Sequence, residues 1–278
     1  MRKFFLTFAS SNLNGALHRI EYQAKNLKLY DQVFAFTEFD LDQNFRVFFK
    51  NKLKFHIRGF GYWCWKPQII LQALSEMEEG DILQYTDAGC HLNYKGKMRL
   101  IEYFEIARND PKGIIAFQQK LPEFYDGRPL NYYIDSEYTK GDLIDYFKLR
   151  SNNKLINSST IGSGVIFIRK SKFSVDFIKQ WLNVFYDDFR LADDSASISP
   201  NLKNFKEHRH DQAIFSLLCK SNSISTLSAF EYWYPKRNMQ KPDWHSLAKF
   251  PIHAKRDKGF SLYRKIINLV KQKLVFLN

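Results

Sequence analysis

The chain has 278 residues, 45% of them hydrophobic and 17% aromatic, enough apolar mass for one large domain or two small ones and too much for a disordered, collagen-like or coiled-coil chain. Lys and Arg number 42 against 29 Asp and Glu, a formal net charge of +13. That excess favours anionic partners, whether nucleotides, nucleic acid or an acidic membrane surface, and does not choose among them.

The opening Met1-Arg2-Lys3 followed by Phe4-Phe5-Leu6-Thr7-Phe8-Ala9 imitates a secretion signal, but Ser10-Ser11-Asn12 ends the apolar run early, so residues 4–9 read as a first buried strand. A polar stretch follows to Tyr30. Beyond it the pattern predicts a strand over 33–36, a helix over 67–77 and a strand over 81–86. Further strands are expected over 114–117 and 164–168, and helices over 141–149, 174–185 and 211–218. This alternation argues for an α/β fold with a mainly parallel central sheet flanked by helices. Residues 121–140 and 190–210 are polar, aperiodic and long for connectors, which makes them substrate-facing loops or plain surface. No run approaches the roughly 18 consecutive apolar residues of a membrane-spanning helix. Cys64, Cys90 and Cys219 are far apart and form no CxxC pair, so neither a disulfide framework nor a zinc knuckle is suggested and a reducing cytoplasm fits best.

We expect one catalytic domain over 1–250 and a distinct tail over 251–278. Between Lys255 and Asn278, seven basic residues stand against Asp257 alone, so these 24 residues carry +6 of the charge. Tyr263, Ile266, Ile267, Val270, Leu274 and Leu277 recur at helical spacing, with Arg264, Asn268, Lys271 and Gln272 on the opposite side. The pattern is a basic amphipathic helix, suited to an anionic membrane surface, to packing on its own domain or to a dimer contact.

Four clusters carry residue types that do chemistry. In Gly80-Asp81-Ile82-Leu83-Gln84-Tyr85-Thr86-Asp87-Ala88-Gly89, a strand runs into Asp87 and two small residues, which is either an ordinary turn or a carboxylate at the ligand-binding end of an α/β sheet. Upstream, Gly61-Tyr62-Trp63-Cys64-Trp65-Lys66-Pro67 puts Lys66 at a helix start fixed by Pro67. That is either a phosphate site with stacking indoles or an aromatic core plug with an exposed lysine. Ser159-Thr160-Ile161-Gly162-Ser163-Gly164 reads as a small-residue turn feeding a strand, and His208-Arg209-His210-Asp211-Gln212 as a helix start with Asp211 near the cap. His208 and His210 lack the i, i+4 spacing of helical zinc sites, which makes metal binding by them the weaker reading. His253 stands alone beside Lys255 and Arg256.

In this order the clusters resemble bacterial glycosyltransferases of the GT-A nucleotide-diphospho-sugar fold, over roughly residues 1–255, and especially the small enzymes of lipopolysaccharide or capsule assembly. The resemblance implies transfer of a sugar from a nucleoside diphosphate sugar, of the UDP class, to a hydroxyl of a glycan or lipid-linked acceptor at the cytoplasmic face of the membrane. Tyr85-Thr86-Asp87-Ala88-Gly89 is similar to the family's Asp-x-Asp strand end, with Asp87 at the first carboxylate and Gly89 in place of the second. A divalent ion, Mn²⁺ or Mg²⁺, would then be bound by Asp87 with His253 and support from elsewhere, or the enzyme works without one. Lys66 and, within Tyr138-Thr139-Lys140, Lys140 are implied as diphosphate contacts. Trp65, Ala88, Gly89, Ser163 and Gly164 are implied at the donor, and Asp211 as the base or sugar-stabilising carboxylate.

Two other classes compete. A basic nucleic-acid-binding protein would stack bases on Tyr62, Trp63 and Trp65. A peripheral membrane scaffold would need only residues 255–278.

Overall fold

Phe4, Leu6 and Phe8 point to one side of the first strand and Phe5 to the other, and all four are buried. Period-two side chains that are apolar on both faces belong to a strand covered on both sides. The computed structural model describes residues 1–120, 133–234 and 243–259. In chain order they form β1 (Lys3–Phe8), α1 (Asn14–Leu27), β2 (Gln32–Phe36), α2 (Gln43–Phe48), the distorted turn α3 (Gly59–Tyr62), α4 (Trp65–Ser75), β3 (Ile82–Thr86) and β4 (His91–Leu92). There follow α5 (Lys97–Asn109), β5 (Ile114–Gln118), the short helices α6 (Asp135–Tyr138), α7 (Gly141–Tyr146) and α8 (Asn153–Ile156), and β6 (Ile161–Arg169). The order ends with α9 (Lys172–Asp187), α10 (His210–Ser221), β7 (Ser225–Ser228) and β8 (Ile252–His253).

The central sheet has the order β2-β1-β3-β6-β5-β7. Among the described residues β6 runs antiparallel to both neighbours, and the other neighbours pair in parallel. One face, with Phe4, Leu6, Leu83, Tyr85, Ile166 and Ile168, packs under α4, α9 and α10. The opposite face, with Phe5, Ile82, Ile115, Phe117 and Phe167, packs on α1 and α5. The expected architecture, a mostly parallel sheet between helical layers, is what the chain adopts. No helix among the described residues is long and apolar enough to cross a membrane. The amphipathic tail helix lies, from residue 260 onward, outside the described residues.

Three elements differ from the sequence pattern. The polar stretch before Tyr30 holds α1, which buries Ala16, Leu17, Ile20, Ala24 and Leu27 and fills its other face with amides and charges. The segment after β4 holds α5, whose buried Leu100, Tyr103, Phe104 and Ala107 follow i, i+3, i+4, i+7 spacing. The run Gly162-Ser163-Gly164 is not a turn: it is the start of β6. Glycine in a strand marks a close approach. A Cβ on Gly162 would lie 2.6 Å from the Tyr232 hydroxyl, and one on Gly164 would lie 2.8 Å from Asp87 Oδ2.

The antiparallel run of β6 positions the site. Thr86 pairs with Val165, so the first residues of β6 lie beside the carboxyl end of β3. Ligands of open α/β sheets bind at that edge.

Candidate active site

Asp87 follows the last residue of β3, its backbone N–H donating to the Gly164 carbonyl at 2.9 Å. The fully buried Tyr85 donates its hydroxyl to Asp87 Oδ1 at 2.6 Å. Lys66 is the second residue of α4, which begins at Trp65 because Pro67 is tolerated in a first turn, where its missing N–H costs no bond. Its side chain, 2% exposed, brings Nζ within 2.8 Å of Asp211 Oδ2, 3.2 Å of Ser163 Oγ and 3.3 Å of Asp87 Oδ1. Ser163 donates in turn to Asp211 Oδ2 at 2.7 Å. Asp211 lies in the first turn of α10 but makes no capping bond; its carboxylate is turned to Lys66 and Ser163 instead.

The structure therefore brings Lys66, Asp87, Ser163 and Asp211 into one cluster with Gly164 packed against it. Each carboxylate is held by one oxygen. Asp87 Oδ2 and Asp211 Oδ1 make no hydrogen bond among the described residues. One ammonium against two carboxylates leaves one net negative charge. Burial works against the Lys66 charge, but Asp211 and Asp87 outweigh it and raise its pKa, so it stays protonated. Desolvation lifts the Asp87 carboxyl above the usual range, against the pull of Lys66 and Tyr85. Yet 40% of the Asp87 side chain is exposed, so solvent reaches it and tempers that shift. Burial, reinforced by Asp87, keeps the Tyr85 phenol neutral and thus a donor.

Lys66 is buried, donates to Asp211 and Ser163, and shares its charge with Asp87 in an ion pair. Its position is that of a counter-ion fixing two carboxylates, and a diphosphate would have to displace one of them to reach it. Gly164→Ala is expected to push the Asp87 carboxylate off this arrangement, costing about 1–3 kcal/mol of stability. Urea unfolding measures it, and an unchanged midpoint would contradict the contact.

Other expected site residues lie elsewhere. Trp65 is a core side chain, stacked on Phe8 at 4.0 Å and donating its indole N–H to the Gly59 carbonyl. The Tyr62 and Trp63 rings lean on His210, so the three aromatics form no outward platform for bases. Lys140 is buried, and its ammonium donates to the Asp193 and Ser195 carbonyls rather than toward the cluster. His253, on β8, pairs in register with His91 of β4, and its Nε2 donates to the Leu247 carbonyl at 2.9 Å, which ties that nitrogen to the backbone.

A divalent ion finds few protein ligands among the residues present. Asp87 Oδ1 is taken by Tyr85 and Lys66, Gly89 offers no carboxylate, and the Gly89 carbonyl accepts from the Asp257 N–H. No group of three His, Cys, Asp or Glu suited to a metal occurs among the described residues. A hard cation here would be held by Asp87 Oδ2 together with substrate phosphate oxygens and water rather than by a protein cage.

The turn after β3 has a second support that the sequence did not signal. Arg19 of α1 donates to the Ala88 and Asp257 carbonyls at 2.8 and 3.0 Å and pairs with the Asp257 carboxylate, which also meets His91 Nε2 at 3.1 Å. These partners are far apart along the chain, and Arg19 sits in a segment whose polar composition hides its helix.

His208 and His210 hold the preceding loop. His208 accepts from the Lys140 N–H and donates from Nε2 to the Leu191 carbonyl, and His210 donates from Nδ1 to the Ala192 carbonyl. Burial pushes both pKa values down, His208 well below its ordinary value. A histidine held neutral contributes stability that is present above its unfolded pKa of about 6.5 and lost as pH falls below it, by about 1.4 kcal/mol per pH unit. The melting temperature should drop between about pH 7.5 and 5.5, and less steeply for His208→Gln; parallel slopes would contradict a neutral buried His208.

No family model matches the sequence, and no curated protein matches it. Among solved structures the chain is similar to a glycosyltransferase involved in the glycosylation of the major capsid of PBCV-1, with 11% identity, a TM-score of 0.50 and coverage of 91% of this chain and 92% of that one. It also aligns with mouse xyloside xylosyltransferase 1 in its apo form, with 9% identity, a TM-score of 0.41 and coverage of 83% and 86%. At such identities the first likeness is one of fold, the GT-A-like α/β architecture described above, and the second adds no argument.

Proposed function

We propose that the chain is a glycosyltransferase that moves a sugar from a nucleoside diphosphate sugar, of the UDP class, to a hydroxyl of a glycan or lipid-linked acceptor. The observation that carries this reading is the pair of carboxylates, Asp87 and Asp211, held through one oxygen each by a shared lysine and without a hydrogen bond at the other among the described residues, at the ligand end of a sheet of glycosyltransferase-like fold. In a single displacement, Asp211 Oδ1 accepts the proton of the acceptor hydroxyl as its oxygen bonds to the anomeric carbon and the bond to the diphosphate breaks. In a retaining reaction the same carboxylate faces the positive charge that develops on the sugar ring. Asp87 Oδ2 is placed to accept from a donor hydroxyl, and Tyr85 and Lys66 keep it aimed. Assembly of surface polysaccharide at the inner face of a membrane is supported by the basic, amphipathic sequence of residues 251–278 alone.

The test is release of nucleoside diphosphate from a panel of UDP-, GDP-, CDP- and TDP-sugars by the full-length chain. Release with one nucleotide class supports the proposal. None with any class, beside oligonucleotide binding that survives Asp87→Ala, would replace it with the nucleic-acid reading.

A further inference from the structure

Gly89 is where the resemblance calls for a second carboxylate, and what stands over it is the chain after β8. A Cβ on Gly89 would lie 3.3 Å from Arg256 Cα and 3.6 Å from its carbonyl carbon. This contact is held, not incidental: the Asp257 N–H donates to the Gly89 carbonyl, while Arg19 and His91 bind Asp257 from the other side. Asp257 is thus turned inward. Arg256, its neighbour, is exposed and has no hydrogen bond, ion pair or ring contact among the described residues. Its backbone sits at φ 53°, in the left-handed region that a side chain ordinarily avoids. Its charge is felt beside the turn that follows Asp87, where it pulls against the upward push that burial gives the Cys90 thiol and the Tyr232 hydroxyl.

We infer that Arg256, whose backbone stands over Gly89, is the residue that binds the donor's diphosphate, in the stead of a second carboxylate and its metal. The assignment rests on the donor reading proposed above. A planar guanidinium grips phosphate oxygens through paired N–H donors and carries a permanent charge. Lys66 is buried and its charge is already held by Asp87 and Asp211, and a divalent ion beside Arg256 and Lys66 would meet like charge. Arg256 instead neutralises the diphosphate directly as its bond to the sugar breaks.

The experiment is calorimetric titration of UDP, GDP, CDP and TDP, and of the matching monophosphates, into the full-length chain in EDTA and in Mn²⁺. The inference predicts one diphosphate binding with a Kd that differs by about threefold or less between the two buffers. Arg256→Ala should weaken that diphosphate by about tenfold or more, the scale of a charge-assisted pair, and the monophosphate by much less. Arg256→Gly should show the same loss while melting about 2 °C higher, because glycine relieves the left-handed backbone; a residue with a structural role only would not separate the two readouts. Binding that requires Mn²⁺, or that Arg256→Ala leaves intact, overturns this assignment and leaves the donor reading standing. No nucleotide binding in either buffer overturns both.

Discussion

Lys66→Met is expected to destabilise the chain by about 3–5 kcal/mol, although methionine fills nearly the same volume. The ammonium is the only cation in contact with Asp211 among the described residues, and the Asp211 side chain is 6% exposed. Removing it leaves that carboxylate buried beside Asp87 with no counter-charge, and the two must then repel or take up a proton. The loss should shrink as the pH is lowered toward the range where one carboxyl protonates. The double variant Lys66→Met, Asp211→Ala should recover most of the stability, because it removes the stranded charge along with its partner. Urea unfolding with an unchanged m-value measures both effects. A loss below about 1 kcal/mol for Lys66→Met would mean that the pair is not formed in solution.

The second large effect is kinetic. Asp211→Asn keeps the shape of the side chain and can still accept from Lys66, so the fold should survive with a modest loss. The amide cannot take a proton from the acceptor hydroxyl. The rate of sugar transfer should fall by about 10²–10⁴-fold, with the donor KM nearly unchanged. Asp87→Asn should show the contrary split, raising the donor KM more than it lowers kcat, since Asp87 is placed to hold the donor. A drop below about threefold for Asp211→Asn would remove it from the proton transfer and leave it a positioning residue.

Local pattern made much of this legible. The strand that ends at Asp87, the helix that starts around Lys66 and Pro67, and the helix start at Asp211 are each written in a few consecutive residues, and each lies where the pattern places it. Their meeting is not local. It depends on β6 entering the sheet antiparallel between β3 and β5 with Thr86 beside Val165, which carries Ser163 to the cluster. Gly162 and Gly164 suggested a turn because turns and close approaches both select glycine, and only the third dimension shows Tyr232 and Asp87 against them. Trp65, Lys140 and His253 have the right chemistry for a donor site, but side-chain direction is set by tertiary packing: Trp65 lies on Phe8, Lys140 points to the Asp193 loop and His253 to Leu247. The clamp of Arg19 on Ala88 and Asp257 leaves no local trace, because three distant segments supply it.

The most direct test of the account is thermal stabilisation by nucleoside diphosphates, measured for the wild-type chain and for Asp87→Ala. A ligand that binds only the folded state adds about 2.7 kcal/mol at a hundredfold excess over its Kd, or about 5 °C or more for a domain of this size. Such a rise is expected with one nucleotide, and its loss in Asp87→Ala. No rise with any nucleotide, or an equal rise in the variant, would contradict a donor site built around Asp87.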